Sequence, residues 1–389
     1  MMLKEFTLDD AIAHFPKVTK LESFLELSNR HFDFYLTALG FEERTLSIPE
    51  NLAILSEENG FTCDECIYFT YETSTNDNAF NEPRLKTALE KIKNKKKDKS
   101  QVSNMFCDED NFSSNLNLRL LNKLGEDSSI NVIVDLSVCS SKLILALLKI
   151  IFEVKSINLL VLYSEAKIYY PLYEEYVSNK YKFLESSELS TTSGHETILN
   201  SNEYSEGTKE SPDLIVAFAS FKAGRINNIV SDIDESILLN DDGRLIWIIG
   251  NPNFDDDTDR RNRIHMLKEL NGISNDDAQK CFELSTLDYR ETIMRLEEIY
   301  QSNSKYHINI ADLGSKMQTL AISIFYHIRP DVSVYYALPK LYNSNRYSQG
   351  IKCHWKIDFN NFYEIISLVR KVDNFEITFP MTEGDVFFE

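Results

Sequence analysis

The chain has 389 residues, 43% of them hydrophobic and 12% aromatic, enough for two domains of ordinary size that each bury a core. Its 61 acidic and 41 basic side chains leave a formal charge of −20, which sets aside a protein whose main ligand is nucleic acid, since that affinity is built from clustered Lys and Arg. No apolar stretch reaches the length of a membrane span and Met1 to Asp10 lack a signal-peptide core, so the expected compartment is the cytoplasm, with no membrane partner.

Residues 1–31 read as a helical lead-in, with Thr7-Leu-Asp-Asp10 as cap and Ala11, Phe15 and Leu21 to Leu27 as apolar positions. Residues 32–184 read as a first Rossmann-like domain. It opens on the strand from Phe34 to Gly40, then Phe41, then Arg44 at the mouth of a helix. Cys63-Asp-Glu-Cys66 precedes the buried strand Cys66 to Tyr71; a zinc knuckle needs a second ligand pair and a redox motif would open a helix, so these read as buried thiols. Six cysteines without a regular framework fit a reduced compartment. The basic run Lys91 to Lys99 reads as the solvated end of a helix entering a loop. Strand Ile130 to Asp135 then ends in Asp135-Leu136, and a small-residue turn with Ser137 leads to Ser140-Ser141-Lys142, an apolar helix and the strand Asn158 to Ser164.

Residues 185–212, rich in Ser, Thr, Glu and Asn, read as a polar linker or surface loop. Residues 213–389 repeat the first pattern. Leu214 to Arg225 matches Phe34 to Arg44, with one extra residue between Phe221 and Arg225, and Arg244 to Gly250 is a second buried strand. The acidic run Asn253 to Asp259 has oxygen ligands for a divalent cation, yet Arg260, Arg261 and Arg263 behind it favour a helix start with internal ion pairs. Tyr306 to Ala311 leads into Asp312-Leu-Gly-Ser-Lys316, an apolar run and the strand Val332 to Ala337, and a helix near Phe359 to Val372 closes the chain. Strands alternating with helices imply parallel pairing. The expected fold is α/β, two repeated Rossmann-like doubly wound parallel-sheet domains forming a pseudo-dimer.

In such sheets ligands bind beyond the carboxyl ends of the strands, where helix N-termini aim free N–H groups. The candidate ligand-binding residues are therefore Arg44, Asp135, Ser137, Ser141 and Lys142 in the first unit, and Arg225, Asp312, Gly314, Ser315, Lys316 and Gln318 in the second. Gly314 admits close backbone approach, Ser315 offers a hydroxyl and Lys316 a point charge, which together suit a phosphate or another anion. Each has a structural role available too: Ser before a helix is an N-cap, and Asp at a strand end accepts turn N–H groups. Tyr163, Tyr169, Tyr170, Tyr173 and Tyr176, with Tyr335, Tyr336, Tyr342 and Tyr347 in the matching place, can stack on a base or pack the domains together. The chain carries none of the P-loop, G-x-G-x-x-G, H-E-x-x-H or G-x-S-x-G signatures, and its residues name no catalytic set, metal or cofactor.

The stretch Ile310-Ala-Asp-Leu-Gly-Ser-Lys-Met-Gln-Thr-Leu-Ala321 resembles the strand–turn–helix of CARF domains, Rossmann-like sensors of prokaryotic antiviral systems. Two such units in one chain resemble SAVED domains, which are fused CARF-like pairs. Here Gly314-Ser-Lys316 has one glycine and Ser in place of Thr, and Ser140-Ser-Lys142 has no glycine. The resemblance implies a nucleotide-like ligand, a cyclic oligonucleotide among the options, held between the halves by a sensor or accessory component of an antiphage defence system. A protein effector or complex partner would read the bound state. Two other readings stand beside it: an enzyme acting on a nucleotide or sugar phosphate with Asp135 or Asp312 as base, and a catalytically inert structural subunit.

Overall fold

A computed structural model of the chain describes residues 12, 14–71, 75–94, 100–107, 111–185, 192–193, 197–200, 211–239, 243–274, 280–338 and 341–373. From the N-terminus run β1 (Thr19–Lys20), β2 (His31–Ala38), α1 (Arg44–Asn59), β3 (Thr62–Thr70), α2 (Glu82–Ile92), β4 (Gln101–Phe106), α3 (Phe112–Glu126), β5 (Ile130–Asp135), α4 (Ser141–Glu153), β6 (Ile157–Tyr169) and α5 (Tyr173–Glu185). There follow β7 (Thr192–Ser193), β8 (Thr197–Asn200), β9 (Asp213–Phe218), α6 (Ala223–Asp234), β10 (Leu245–Asn251), α7 (Asp257–Leu270), β11 (Cys281–Ser285), α8 (Tyr289–Ser302), β12 (His307–Ala311), α9 (Lys316–Ile328), β13 (Ser333–Leu338), β14 (Leu341–Tyr342), β15 (Ser348–Asn361) and α10 (Phe362–Asp373).

The central strands are short apolar runs such as Val132-Ile-Val134, buried on both faces as parallel strands between helical layers must be. One sheet has the order β1-β15-β6-β5-β2-β3-β4, the other β11-β10-β9-β12-β13-β8. Strands β2 to β6 are mutually parallel, as are β9 to β13. The five parallel strands follow the same order in both sheets, the first strand central, so each sheet has one switch point: between β2 and β5, and between β9 and β12.

Two edges differ from the sequence expectation. β15, from the stretch assigned to the second unit, pairs antiparallel with β6 from Ser348↔Tyr169 to Asn361↔Asn158, and β1 pairs with β15. At 13 residues β6 would be a long exposed edge, and β15 covers it with buried Ile357 and Phe359. β8, from the expected linker, pairs antiparallel with β13, and β7 pairs with β14. The rest of residues 186–210, residues 1–11 and 13 of the N-terminal lead-in and the basic residues 95–99 lie outside the described residues; where it is described, the lead-in carries β1 and a short 3-10 turn at Phe24–Leu27 in place of the expected run of helix. Cys63 and Cys66 sit inside β3 as buried free thiols, and burial pushes the Cys63 thiol well up.

One apolar cluster runs through both sheets, joining Val132 and Val134 to Val216 and Ile310 by way of α4 and α9. α9 is apolar nearly all round, which forces burial on every side; it packs on α4, α8 and α10. The ring of Phe152 stacks on His327 at 4.3 Å across the same contact. No helix among the described residues is long and apolar enough to cross a membrane.

Phe325 of α9 is fully buried in this shared cluster. Phe325→Ala should cost about 3–5 kcal/mol in urea denaturation and lower the transition of both halves together; a loss below ~1 kcal/mol would show that the halves do not depend on α9.

Candidate functional site

A cavity of about 320 Å³ opens between the carboxyl ends of the two sheets. The loops that flank the second sheet's switch point, Ala219 to Lys222 after β9 and Asp312 to Ser315 after β12, supply eight of its wall residues. Opposite them stand the start of α4 with Ser140 and Ser141, the end of β6 with Tyr163, Glu165 and Tyr169, and the β14–β15 connection with Tyr342 and Tyr347.

The turn before α9 explains most of this geometry. Ser315 is the N-cap: its hydroxyl accepts from the Gln318 amide at 3.2 Å and donates to the Thr286 carbonyl at 2.7 Å, while Gln318 Oε1 accepts from the Ser315 amide at 2.9 Å. This reciprocal capping uses up both side chains. A Cβ on Gly314 would lie 2.7 Å from Gln318 Oε1 and 3.0 Å from the Phe218 ring, so only glycine lets the turn close. Lys316, the first helical residue, is left on the cavity wall and makes no ion pair among the described residues. Asp312 forms the floor. It is 1% exposed, its Oδ1 accepts from Thr319 at 3.0 Å, and its Oδ2 is buried without a hydrogen-bond partner among the described residues. Burial pushes this carboxyl up to about 6, against the Thr319 hydroxyl, which favours the charged form.

The matching turn of the first unit is built differently, and it corrects three expected site residues. Ser140 caps α4, accepting from the Leu143 amide at 3.2 Å. The cap comes five residues after Asp135, whereas Ser315 comes three after Asp312, so the first turn carries two further residues. Lys142 is then the second helical residue, about 100° round the axis from the place Lys316 occupies, and it does not line the cavity. Asp135 and Ser137 do not reach it either: Asp135 accepts from Tyr35 (3.2 Å), the Ser137 amide (2.9 Å) and the Ser137 hydroxyl (2.5 Å), and Ser137 Oγ accepts from the Ser164 amide (2.8 Å). They fasten the turn to β6. Ser141 does reach the wall, with Oγ 3.2 Å from Thr319 Oγ1.

Arg44 and Arg225 both line the cavity, each at the start of the helix after its unit's first strand. Arg44 is already neutralised. Its guanidinium donates to Glu42 Oε2 (2.5 and 3.1 Å) and to the Ser164 carbonyl (3.3 Å), and Ser348 donates to the same carboxylate. Burial works against its charge and Glu42 more than compensates, holding it above the ordinary arginine range. The cavity wall also carries Lys222, Arg225, Arg263 and Lys316, and the carboxyls of Glu165 and Asp312.

Sequence reasoning placed Arg263 among the internal ion pairs of a helix start. In the structure it donates to the carbonyls of Tyr169, Tyr170 and Pro171 at 3.2, 3.2 and 2.7 Å and lies over the Phe221 ring at 3.8 Å, with burial pulling its pKa down to about 9. The signal was present: Arg263, Met266, Leu267 and Leu270 stand at i, i+3, i+4 and i+7, the inward face of α7. The acidic run ahead of it caps this helix, Asp256 Oδ1 accepting from the Thr258 and Asp259 amides. Lys222 was missed because only the loop's path turns it inward. The tyrosines divide: Tyr176 donates to Glu269 on α7 at 2.6 Å, whereas Tyr342 and Tyr347 stand edge to face at 5.8 Å on the cavity wall.

No protein-family model and no curated protein matches the chain. Among solved structures it is similar to Enterococcus italicus Csm6 bound to cyclic hexa-2'-fluoro-hexa-dAMP, at 9% identity over 40% of this chain and 40% of the Csm6 chain, with a TM-score of 0.24. It is also similar to the UDP-GlcNAc 2-epimerase from Neisseria meningitidis bound to UDP-GlcNAc, at 11% identity over 77% of this chain and 92% of the epimerase, with a TM-score of 0.19. The chain thus spans well under half of the Csm6 chain. Likenesses this loose carry no argument about the site.

The Asp312 carboxyl, at about 6 folded against 3.8 for an ordinary Asp, holds its proton more tightly in the folded chain. That stabilisation is full below about pH 4 and is lost as pH rises through 6. Asp312→Asn keeps an acceptor for Thr319 and removes the titration, so its Tm should gain on the wild type between pH 4 and pH 7; a constant difference across that range would refute the raised value.

Proposed function

We propose that this chain binds a nucleotide or another phosphorylated small molecule in the cavity between its halves. The carrying observation is electrostatic. In a chain of net charge −20, the starts of α4, α6 and α9 converge on one cavity whose wall also holds Lys222, Arg225, Arg263 and Lys316. Helix N-termini and a cluster of cations in a partly dry cleft favour an anion, and phosphate matches both. Lys316 and the first amides of α9 would hold the phosphate, with Arg225 and Lys222 as further anion contacts, and Tyr342 and Tyr347 offer flat faces to a base.

The biological setting follows from the resemblance of Ile310 to Ala321 to CARF domains: a cytoplasmic sensor or accessory component of an antiphage defence system, built from two repeated Rossmann-like units related as a pseudo-dimer. Ligand bridging the walls would alter how the halves sit together, and a protein effector would read that change. A second reading, turnover of a nucleotide or sugar phosphate, is favoured by one observation, a carboxyl near 6 on the cavity floor at Asp312. Product analysis after incubation separates the two, because a sensor returns its ligand unchanged.

Native mass spectrometry of protein purified from its own host, followed by thermal-shift screening of mono-, di- and cyclic nucleotides, tests the proposal, since binding to the folded state raises Tm. Lys316→Ala should weaken the stabilising nucleotide about tenfold, some 1.4 kcal/mol, and the wild-type affinity should fall with added salt. Unchanged affinity in Lys316→Ala would remove this site from the proposal.

A further inference from the structure

The two units present unequal faces to the cavity. At the second sheet's switch point, all eight residues of the two flanking loops line it; from the corresponding first-sheet loops, Leu39 to Glu43 and Leu136 to Ser140, only Ser140 does. The first switch point is filled by protein. A Cβ on Gly40 would lie 3.2 Å from both Val138 Cβ and Thr45 Oγ1, so the loops after β2 and β5 are already in contact. Asn81 Nδ2 and Thr45 Oγ1 both donate to the Gly40 carbonyl at 2.9 Å. Tyr71 closes the other side, its hydroxyl accepting from the Ser140 amide at 3.0 Å and donating to the Val138 carbonyl at 3.4 Å. Val138 and Cys139 are the two residues by which this turn exceeds its counterpart, and both are buried.

The paired carboxyls differ in the same sense. Asp135 accepts three hydrogen bonds, from Tyr35 and Ser137, whereas Asp312 Oδ2 is buried and makes no hydrogen bond among the described residues. An unpaired buried acceptor costs about 1–3 kcal/mol, so a ligand donor nearby would relieve it. The cavity itself, at about 320 Å³, is at the small end of ligand sites.

Resting on the nucleotide reading above, we infer that the chain takes one ligand of single-nucleotide size, its phosphate held by the second unit's turn alone, and discriminates against two-fold symmetric cyclic oligonucleotides. A two-fold ring needs the same contact from both turns. Here one turn brings its glycine, a lysine at the first helical position and an acid with a spare oxygen to the cavity wall; the other turns its loop and its lysine away from it. The phosphate sits at Lys316 and the start of α9, and a hydroxyl or amine of the same ligand faces Asp312.

Isothermal titration of the whole chain with nucleoside mono- and triphosphates, and with cyclic di- and tetranucleotides of adenine and guanine, tests this. A single nucleotide should bind one per chain, at least tenfold tighter than any ring. Lys316→Ala and Asp312→Asn should each weaken it about tenfold, and Lys142→Ala should stay within twofold of wild type, with circular dichroism confirming that each variant folds. A ring that binds tighter than every single nucleotide, two single nucleotides per chain, or a Lys142→Ala loss equal to that of Lys316→Ala would overturn the inference while leaving nucleotide binding intact. No binding by any of these probes would overturn the nucleotide reading and this inference with it.

Discussion

The burial of α9 is the constraint on which the rest depends. A thirteen-residue helix whose side chains from Met317 to Phe325 are all buried cannot lie on a surface, so the second sheet, α8, α10 and, from the other unit, α4 must all close around it. That packing fuses two sheets that would otherwise each carry a separate core. It also fixes where the helix begins. The N-terminus emerges into the gap between the sheets, and with it come Ser315, Lys316 and the polarity of the helix.

What was readable from the chain follows from period and chain order. Two runs of short apolar strands separated by amphipathic stretches fix an α/β fold with parallel pairing, because each strand needs a crossover to reach its neighbour. The carboxyl-end rule then places Arg225, Asp312, Gly314, Ser315 and Lys316 on one cavity before any coordinate is seen. The edges were not readable. β15 and β8 join their sheets by antiparallel pairing across long separations, and nothing in a local pattern says which of several open edges a strand will cover. Arg263 escaped for a related reason: charged residues read as solvent-facing unless their place on the helix is counted against the apolar stripe.

The first-unit site residues show a different limit. Asp135, Ser137 and Lys142 match their counterparts in type and approximate place, yet a difference of two residues moves the helix start relative to the strand end. Residue type survives such a change and direction does not. A lysine one position further along a helix faces a new neighbour, and a longer loop brings side chains that fill the space the shorter one leaves open. Tyr35 donates to Asp135 and Tyr71 accepts from the Ser140 amide, so these groups of the turn are satisfied from within the protein. Matching motifs thus became a wall in one unit and an opening in the other.

The route of the chain bears on how the halves can move. It leaves the first sheet after β6 and α5, builds the second, and returns through β14 and β15 to the first, so two covalent spans join the halves. The returning span carries Tyr342 and Tyr347 past the cavity, and its strand is registered along nearly all of β6. Two tethers behave unlike one. A single linker lets domains swing apart in any direction, whereas a pair, one of them locked into a sheet, together with the core shared around α9, confines the halves to small rotations about the line between their anchors. Occupancy of a cavity beside one tether would therefore act as a torque about that line.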